Sequence, residues 1–162
     1  MKEYSVTATG ITVANHAPLS LVALMPPAGG MIEILRMWIS QNANANSAQQ
    51  GVQWAMVSTP FQTVTSATPQ KTKSGDAASA IVGATTIAAG KCGINASNEN
   101  ANVIAQVWYD NFNVLNGWLW VPTPREIIEL SGQSSYAFAL QFSIAPVTLS
   151  NWSFGVTYGE RG

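Results

Sequence analysis

The chain has 162 residues, enough for one domain with a sizeable hydrophobic core, and 47% of them are hydrophobic. Only 9% are charged and the net charge is −1 with no basic run, which argues against nucleic-acid binding and against a basic helix at a membrane surface. The single Cys excludes an internal disulfide, and the N-terminus lacks the apolar run of a signal peptide, so we expect a soluble product made in a cytoplasm.

The first sixty residues predict four short strands. Residues 4–13 alternate loosely with Thr, and residues 20–25 form an apolar run that stops at a Pro/Gly turn. Residues 31–40 are apolar on both parities, which suits a central strand covered on both faces or a strand with one face in a subunit contact. A helix competes there, but the flanking Gly pair and the Asn-rich polar loop over 41–50 favour a strand, and residues 52–57 follow as another.

The middle of the chain has a different composition. Residues 62–93 are rich in Thr, Ala, Ser and Gly, and they predict a long excursion between sheets. Within it, residues 80–88 predict a strand, while a short helix over 76–83, capped by Asp76, is the alternative. Both outcomes are compatible with the composition of this segment.

Further strands are predicted after the excursion. They cover residues 103–109, 117–121 and 126–130, with a turn over 110–113. Two alternating runs then end the chain, with large apolar residues at every second position of 136–144 and of 152–158. They predict an antiparallel pair with one buried face. Taken together, eight to eleven short strands predict an all-β fold, an antiparallel β-sandwich of jelly-roll type in a single domain over 1–162.

Few residues offer catalytic chemistry. His16 lies between two predicted strands without a recognisable nucleophile motif, so we interpret it as a turn or surface residue. Cys92 follows Lys91, a cation that can lower a thiol pKa, but catalysis would still need a His partner, so a structural thiol is the preferred interpretation.

Carboxylates give no clear site either. Glu126 and Glu129 resemble a glycosidase pair, but three residues apart on a strand they face opposite ways. Glu99 and Asp110 flank a predicted strand among Asn residues that could serve calcium, yet the loop pattern of a calcium site is missing. We therefore predict no catalytic residue, no metal site and no cofactor.

The six Trp residues are the strongest candidates for recognition. Trp54 and Trp152 lie on alternating runs, so we assign them to the core. Trp108, Trp118 and Trp120 have three possible roles, in a glycan groove, in a subunit interface or in the monomer core. Aromatic enrichment at protein interfaces favours the second role.

The order of the predicted elements resembles a group of small virion proteins of tailed bacteriophages. In sequence, these elements are a strand ending in Thr9-Gly10, an apolar strand and Pro/Gly turn, the strand over 31–40, a polar loop, the strand over 52–57, an excursion from Ala67-Thr68-Pro69 through 74–79, and a final pair closing on Tyr158-Gly159-Glu160. In that group, single-domain jelly rolls decorate the capsid as trimers. The resemblance implies no catalytic residues.

The leading hypothesis is therefore a capsid decoration, or cement, protein on the virion surface. It would bind other copies as a homotrimer and the major capsid protein of a phage head. The alternative is a tail-fibre, baseplate or carbohydrate-binding module that recognises a host glycan through Trp108, Trp118 and Trp120. A major capsid protein is a further structural option, and an enzyme is the third class. A surface with so little charge favours association in either binding role.

Overall fold

A computed structural model shows two β-sheets packed face to face. It describes residues 1–43, 46–59, 61–62, 64–97, 104–133 and 135–161. The strands are β1 (Lys2–Ile11), β2 (Leu19–Leu24), β3 (Met31–Gln41), β4 (Gln49–Ser58), β5 (Phe61–Gln62), β6 (Thr65–Ser66), β7 (Gln70–Lys71), β8 (Val82–Gly83), β9 (Thr86–Ile87), β10 (Lys91–Ile94), β11 (Ile104–Asn113), β12 (Trp118–Trp120), β13 (Ile128–Ser131), β14 (Tyr136–Phe142) and β15 (Trp152–Arg161). The described residues contain no helix, and hence none that could cross a membrane.

Strand pairing follows a jelly roll. The first strand pairs with the last, β2 with β14, β3 with β12 and β13, and β4 with β11, all antiparallel. One sheet has the order β12-β3-β15-β1-β7 with β13 also beside β3, and the other has the order β11-β4-β14-β2-β10-β6 with β8 beside β10. Along the chain these strands therefore alternate between the sheets, except that β4 and β11 pair with each other within one sheet and β12 and β13 both lie beside β3. The prediction of an antiparallel β-sandwich is confirmed, and so is the strand over 31–40 in place of the competing helix.

Aromatic side chains fill the space between the sheets. The edge of Trp152 meets the ring of Phe142 at a centroid distance of 4.7 Å and that of Phe112 at 6.5 Å. Further along, the rings of Tyr4 and Tyr158 lie 5.7 Å apart. The two Trp152 pairs join strands of different sheets, and the tyrosine pair joins neighbouring strands of one sheet. The large residues that alternate along each strand therefore point into the core.

The two alternating runs at the end of the chain do not pair with each other, so that prediction is wrong. β14 pairs with β2 and β4, whereas β15 pairs with β1 and β3 in the other sheet. The connection over residues 143–151 is longer than a hairpin loop of about two to five residues. It carries the chain from one sheet to the other, so the strands face each other across the core, as Phe142 and Trp152 do.

The prediction of one buried face is also wrong for β14. Phe138 faces the space between the sheets, but Ala137 and Ala139 on the opposite face are fully buried as well. They form a second apolar cluster with Val64 and Ile87 of the excursion. Small residues on this outer face leave room for the excursion to pack against the sheet.

The excursion covers the outer face of one sheet and closes one side of the sandwich, where it pairs with an edge of each sheet. Its β7 pairs with β1 at the edge of one sheet, and its β6 pairs with β10 at the edge of the other. The alternative helix over 76–83 does not form, and the strand predicted over 80–88 is broken into β8 and β9. The opposite side of the sandwich, bounded by β11, β12 and β13, receives no strand from the described part of the excursion.

Several predicted bounds shift. The turn over 110–113 lies within β11, which continues to Asn113, and residue 103 lies outside the described residues. β13 starts at Ile128, so Glu126 precedes it in a turn. The polar loop over 41–50 is shortened by β3 and β4, and its residues 44 and 45 are outside the described ranges.

Gly132 provides a test of the packing between the β2–β3 and β13–β14 turns. Its amide donates a 2.8 Å hydrogen bond to the carbonyl of Gly30, and an added Cβ would collide with the carbonyl oxygen of Pro27. We expect Gly132→Ala to lower the free energy of unfolding by about 2 kcal/mol, measured by urea denaturation, because backbone has to move. Gly75→Ala is the control, since nothing lies within 4 Å of its added Cβ. Equal effects of the two substitutions would contradict this packing.

Candidate interface on the open side of the sandwich

Two sheet edges meet on the side that the excursion leaves open, which we call the open side and define by β11, β12 and β13. Among the described residues, β11 pairs only with β4, and β12 and β13 pair only with β3. Their outward backbone groups therefore have no strand partner in the described fold. Such edges are natural sites for contact with another chain.

A Trp pair bridges the two edges. The rings of Trp108 on β11 and Trp118 on β12 lie 5.7 Å apart, with an angle of 42° between their planes. The indole Nε1 of Trp118 lies 3.3 Å from Oδ2 of Asp110, to which it donates. Because β11 and β12 belong to different sheets, this pair joins the sheets at the open side.

All three candidate Trp residues are half-buried and pack against the core. Trp120 lies on the same face of β12 as Trp118, as its parity predicted, and that face points inward. Part of each ring remains exposed, which is compatible with both the interface and the glycan roles. Of the two residues assigned to the core, Trp152 is fully buried, whereas Trp54 is half-buried and stacks on Phe138 at 6.3 Å.

Among the described side chains of the open side, the outward face of β12 carries the most exposed aliphatic residue. Leu119 is 64% exposed, and Val121 just beyond the strand is 59% exposed. Neither residue is close to a charged neighbour in sequence, because residues 111–124 contain no Asp, Glu, Lys or Arg. The open side therefore combines exposed aliphatic groups, partly exposed indoles and free strand edges with two carboxylates, Asp110 on β11 and Glu129 on β13. Its β12 segment has the uncharged composition expected of an interface core.

Trp38 was missed as a surface aromatic by sequence reasoning. It pairs with Leu119 in register and lies over Gly155, where an added Cβ would come within 2.8 Å of its indole Nε1. The available signal was its place between Met37 and Ile39, which are buried in the core. Successive side chains of a strand point to opposite faces, so Trp38 points outward. Trp38 thus extends the apolar surface around Leu119 onto the outer face of the sheet.

The other candidate residues lie elsewhere. His16 is in the loop between β1 and β2, where Nδ1 lies 2.9 Å from the carbonyl oxygen of Pro18 and Nε2 lies 2.8 Å from that of Ala96. Cys92 is fully buried, donates to the carbonyl of Ala67, and has its pKa raised to about 12 by burial. These contacts give the imidazole a loop-fixing role and keep the thiol protonated.

The carboxylates are dispersed. Glu126 accepts hydrogen bonds from the amide and hydroxyl of Thr123, which lower its pKa, whereas Glu129 lies on β13 beside Arg161 at 3.7 Å. The carboxylate of Asp110 accepts hydrogen bonds from the indole of Trp118 and from the amide of Asn111. Glu99 is outside the described residues, and the described chain contains no group of three or more potential metal ligands.

Charged groups gather around a cavity at one end of the sandwich. The cavity has a volume of about 480 Å³ and is lined by Lys2, Glu160 and Arg161 among apolar residues. Glu160 is held by Ser79, whose hydroxyl lies 2.5 Å from its Oε1, and Arg161 pairs with the buried carboxylate of Glu33. These contacts tie the excursion and the last strand to the sheets, so the charges serve the fold.

No protein-family model, curated protein or solved structure matches this chain.

Proposed function

We propose that the protein is a virion structural protein that decorates the capsid shell of a tailed bacteriophage as a homotrimer. The observation that carries the proposal is the open side, where exposed Leu119 and Val121 lie beside two free strand edges. The jelly-roll order of the strands supports it, since it agrees with the fold that the resemblance implied. The low charge of the chain supports it too, because uncharged surface suits contact better than solvation.

The mechanism is mechanical. A decoration subunit that binds only the assembled shell stabilises that shell by mass action, by about 2.7 kcal/mol per site at a concentration one hundred times its Kd. The binding free energy, summed over all the sites of a shell, opposes expansion of the shell under internal pressure. A trimer closes by rotation, so each subunit presents two different patches to its neighbours. The open side is the first of these patches.

Binding to phage heads tests the proposal. We expect the protein to co-sediment with heads of the tailed phage that encodes it, stripped of bound decoration protein. The double variant Leu119→Asp, Val121→Asp should bind at least about tenfold more weakly, because it places two charges in an apolar contact. Val82→Asp is the matched control, since Val82 is 44% exposed but lies on β8, away from the open side.

Two results would argue against a decoration role. The first is a monomer without affinity for heads, and the second is an equal loss in the open-side and Val82 variants. A change in Trp fluorescence on addition of a glycan, abolished by Trp118→Ala, would favour the glycan-binding alternative. The half-exposed Trp108 and Trp118 pair beside Asp110 is the feature that such a ligand would use.

A further inference from the structure

The four connections at one end of the sandwich lack charge altogether. They link β1 to β2, β3 to β4, β11 to β12 and β14 to β15, and we call the surface formed by their described residues the loop end. The pairing of Trp152 with Gln41 and with Ile11, and of Asn113 with Gln49, places these strand ends together. None of the described residues in the four connections is Asp, Glu, Lys or Arg.

The longest of these connections displays aliphatic side chains. In the loop over 143–151, Ile144 is 44% exposed, Val147 is 40% exposed and Leu149 is 38% exposed. Leu115, 52% exposed, lies in the turn between β11 and β12, at the corner where the loop end meets the open side. The two apolar surfaces therefore lie on adjacent faces of the molecule.

Hydrogen bonds from neighbouring strands and loops hold the loop over 143–151 in place. The side chain of Gln50 donates to the carbonyl of Ile144 at 3.2 Å and accepts from the amide of Val147 at 3.0 Å. The amide of Val13 donates to the carbonyl of Leu149 at 2.8 Å. A loop that is already ordered loses little conformational entropy when a partner covers its aliphatic groups.

The opposite end of the sandwich is the charged one. Lys2, Glu160 and Arg161 line its cavity, and Glu33 and Glu129 lie beside Arg161. Mixed charges keep that end solvated and discourage association. The loop end has no such protection, so the chemical asymmetry of the molecule marks it as a contact surface.

The charge pattern also selects the partner. A charged protein surface or a nucleic acid would lose hydration against the loop end without gaining an ion pair. An anionic membrane would find none of the cations that peripheral binding uses. The open side of another copy instead offers Leu119, Val121 and free strand edges.

We propose that the loop end of one copy packs against the open side of the next copy, with Val147 near Leu119. The contact is heterologous, since it joins two different patches, and two patches on adjacent faces allow the copies to close into a ring. The inference rests on the self-association part of the proposed function and names its two surfaces, but it does not depend on binding to a shell.

Mixing of two variants, each with one added cysteine, tests the contact directly. Val147→Cys and Leu119→Cys proteins, each kept with the buried Cys92, are oxidised under mild conditions alone and as an equal mixture. We expect the mixture to form disulfide-linked dimers at least tenfold faster than either variant alone, because residue 147 of one copy meets residue 119 of the next. Val82→Cys replaces Val147→Cys in the control mixture and should give no acceleration.

Light scattering at several protein concentrations completes the test. We expect a multimer that persists at high salt and that Val147→Asp dissociates, with Val82→Asp unchanged. A monomer throughout, or faster cross-linking of Val147→Cys with itself, would overturn the proposal. Flotation of the protein with neutral phosphatidylcholine vesicles, lost in Val147→Asp, would overturn it in favour of a lipid partner. Cross-linking as expected without binding to heads would instead refute the shell-binding function and leave this contact standing.

Discussion

Replacing Trp152 with Ala is expected to lower the free energy of unfolding by about 4 kcal/mol, a large part of the 5–15 kcal/mol that holds a typical domain together. Trp152 is fully buried, and its ring packs edge-on against Phe142 at 4.7 Å and lies 6.5 Å from Phe112. Its truncation leaves a cavity between the sheets and removes the 2.7 Å hydrogen bond from Nε1 to the carbonyl of Thr148. Urea denaturation followed by circular dichroism measures the loss.

Two variants separate the contributions at this site. Trp152→Phe keeps an aromatic ring and loses the hydrogen bond, so we expect it to cost about half as much as Trp152→Ala. Trp120→Ala removes a ring that is only half-buried, and its cost should be well below that of Trp152→Ala. Similar losses for Trp120→Ala and Trp152→Ala would contradict the placement of Trp152 as a fully buried core residue.

The inward faces of the last strands were predictable from the sequence, but their partners were not. Trp152, Phe154 and Tyr158 are fully buried on the face that their alternation predicted. Alternation fixes which face a side chain takes, but it holds no information about which strand lies alongside. In this fold the partners are far apart in sequence, as in the pairing of β1 with β15, so an apparent hairpin at the end of the chain was misleading.

Burial of the outer faces was the second feature that sequence patterns could not supply. Ala137 and Ala139 have the small side chains of a solvent-facing strand position, yet the excursion covers them. Whether a distant segment folds back onto a face of the sheet depends on tertiary packing. Small residues leave room for such a segment, but their presence in the sequence does not predict it. The composition of residues 62–93 indicated an excursion without indicating where it would lie.

The candidate interface was partly predictable. The common face of Trp118 and Trp120 followed from their spacing, and the absence of Asp, Glu, Lys and Arg from residues 111–124 was visible in the sequence. The contact of Trp108 with Trp118 was not predictable from the sequence. An irregularity in β11 between residues 106 and 108 changes which face of the strand the following side chains take. The convergence of two sheet edges at this point depends on the jelly-roll connectivity as a whole.

Alkaline pH is expected to destabilise the folded protein strongly. Burial raises the pKa of Cys92 from 9.0 to about 12, so the folded thiol keeps its proton over a range in which the unfolded thiol loses it. The unfolded state then binds fewer protons, and the free energy of unfolding falls by about 1.4 kcal/mol per pH unit between pH 9 and pH 12. The pKa of Tyr158 is raised from 10.0, chiefly by burial, which adds a similar slope above pH 10. By pH 11 the loss from Cys92 alone is about 2.7 kcal/mol.

The variant Cys92→Ala isolates the contribution of the thiol. The test compares how the free energy of unfolding changes with pH, so an effect of the substitution on stability at neutral pH does not matter. Urea midpoints measured from pH 7 to pH 11 should stay level to pH 9 in both proteins and then fall only in the native chain up to pH 10. Retention of that fall in Cys92→Ala would show that other groups cause it. A second measurement follows from the same burial, since iodoacetamide at pH 10 should modify Cys92 in urea-unfolded protein and spare it in the folded state, where Sγ donates to the carbonyl of Ala67.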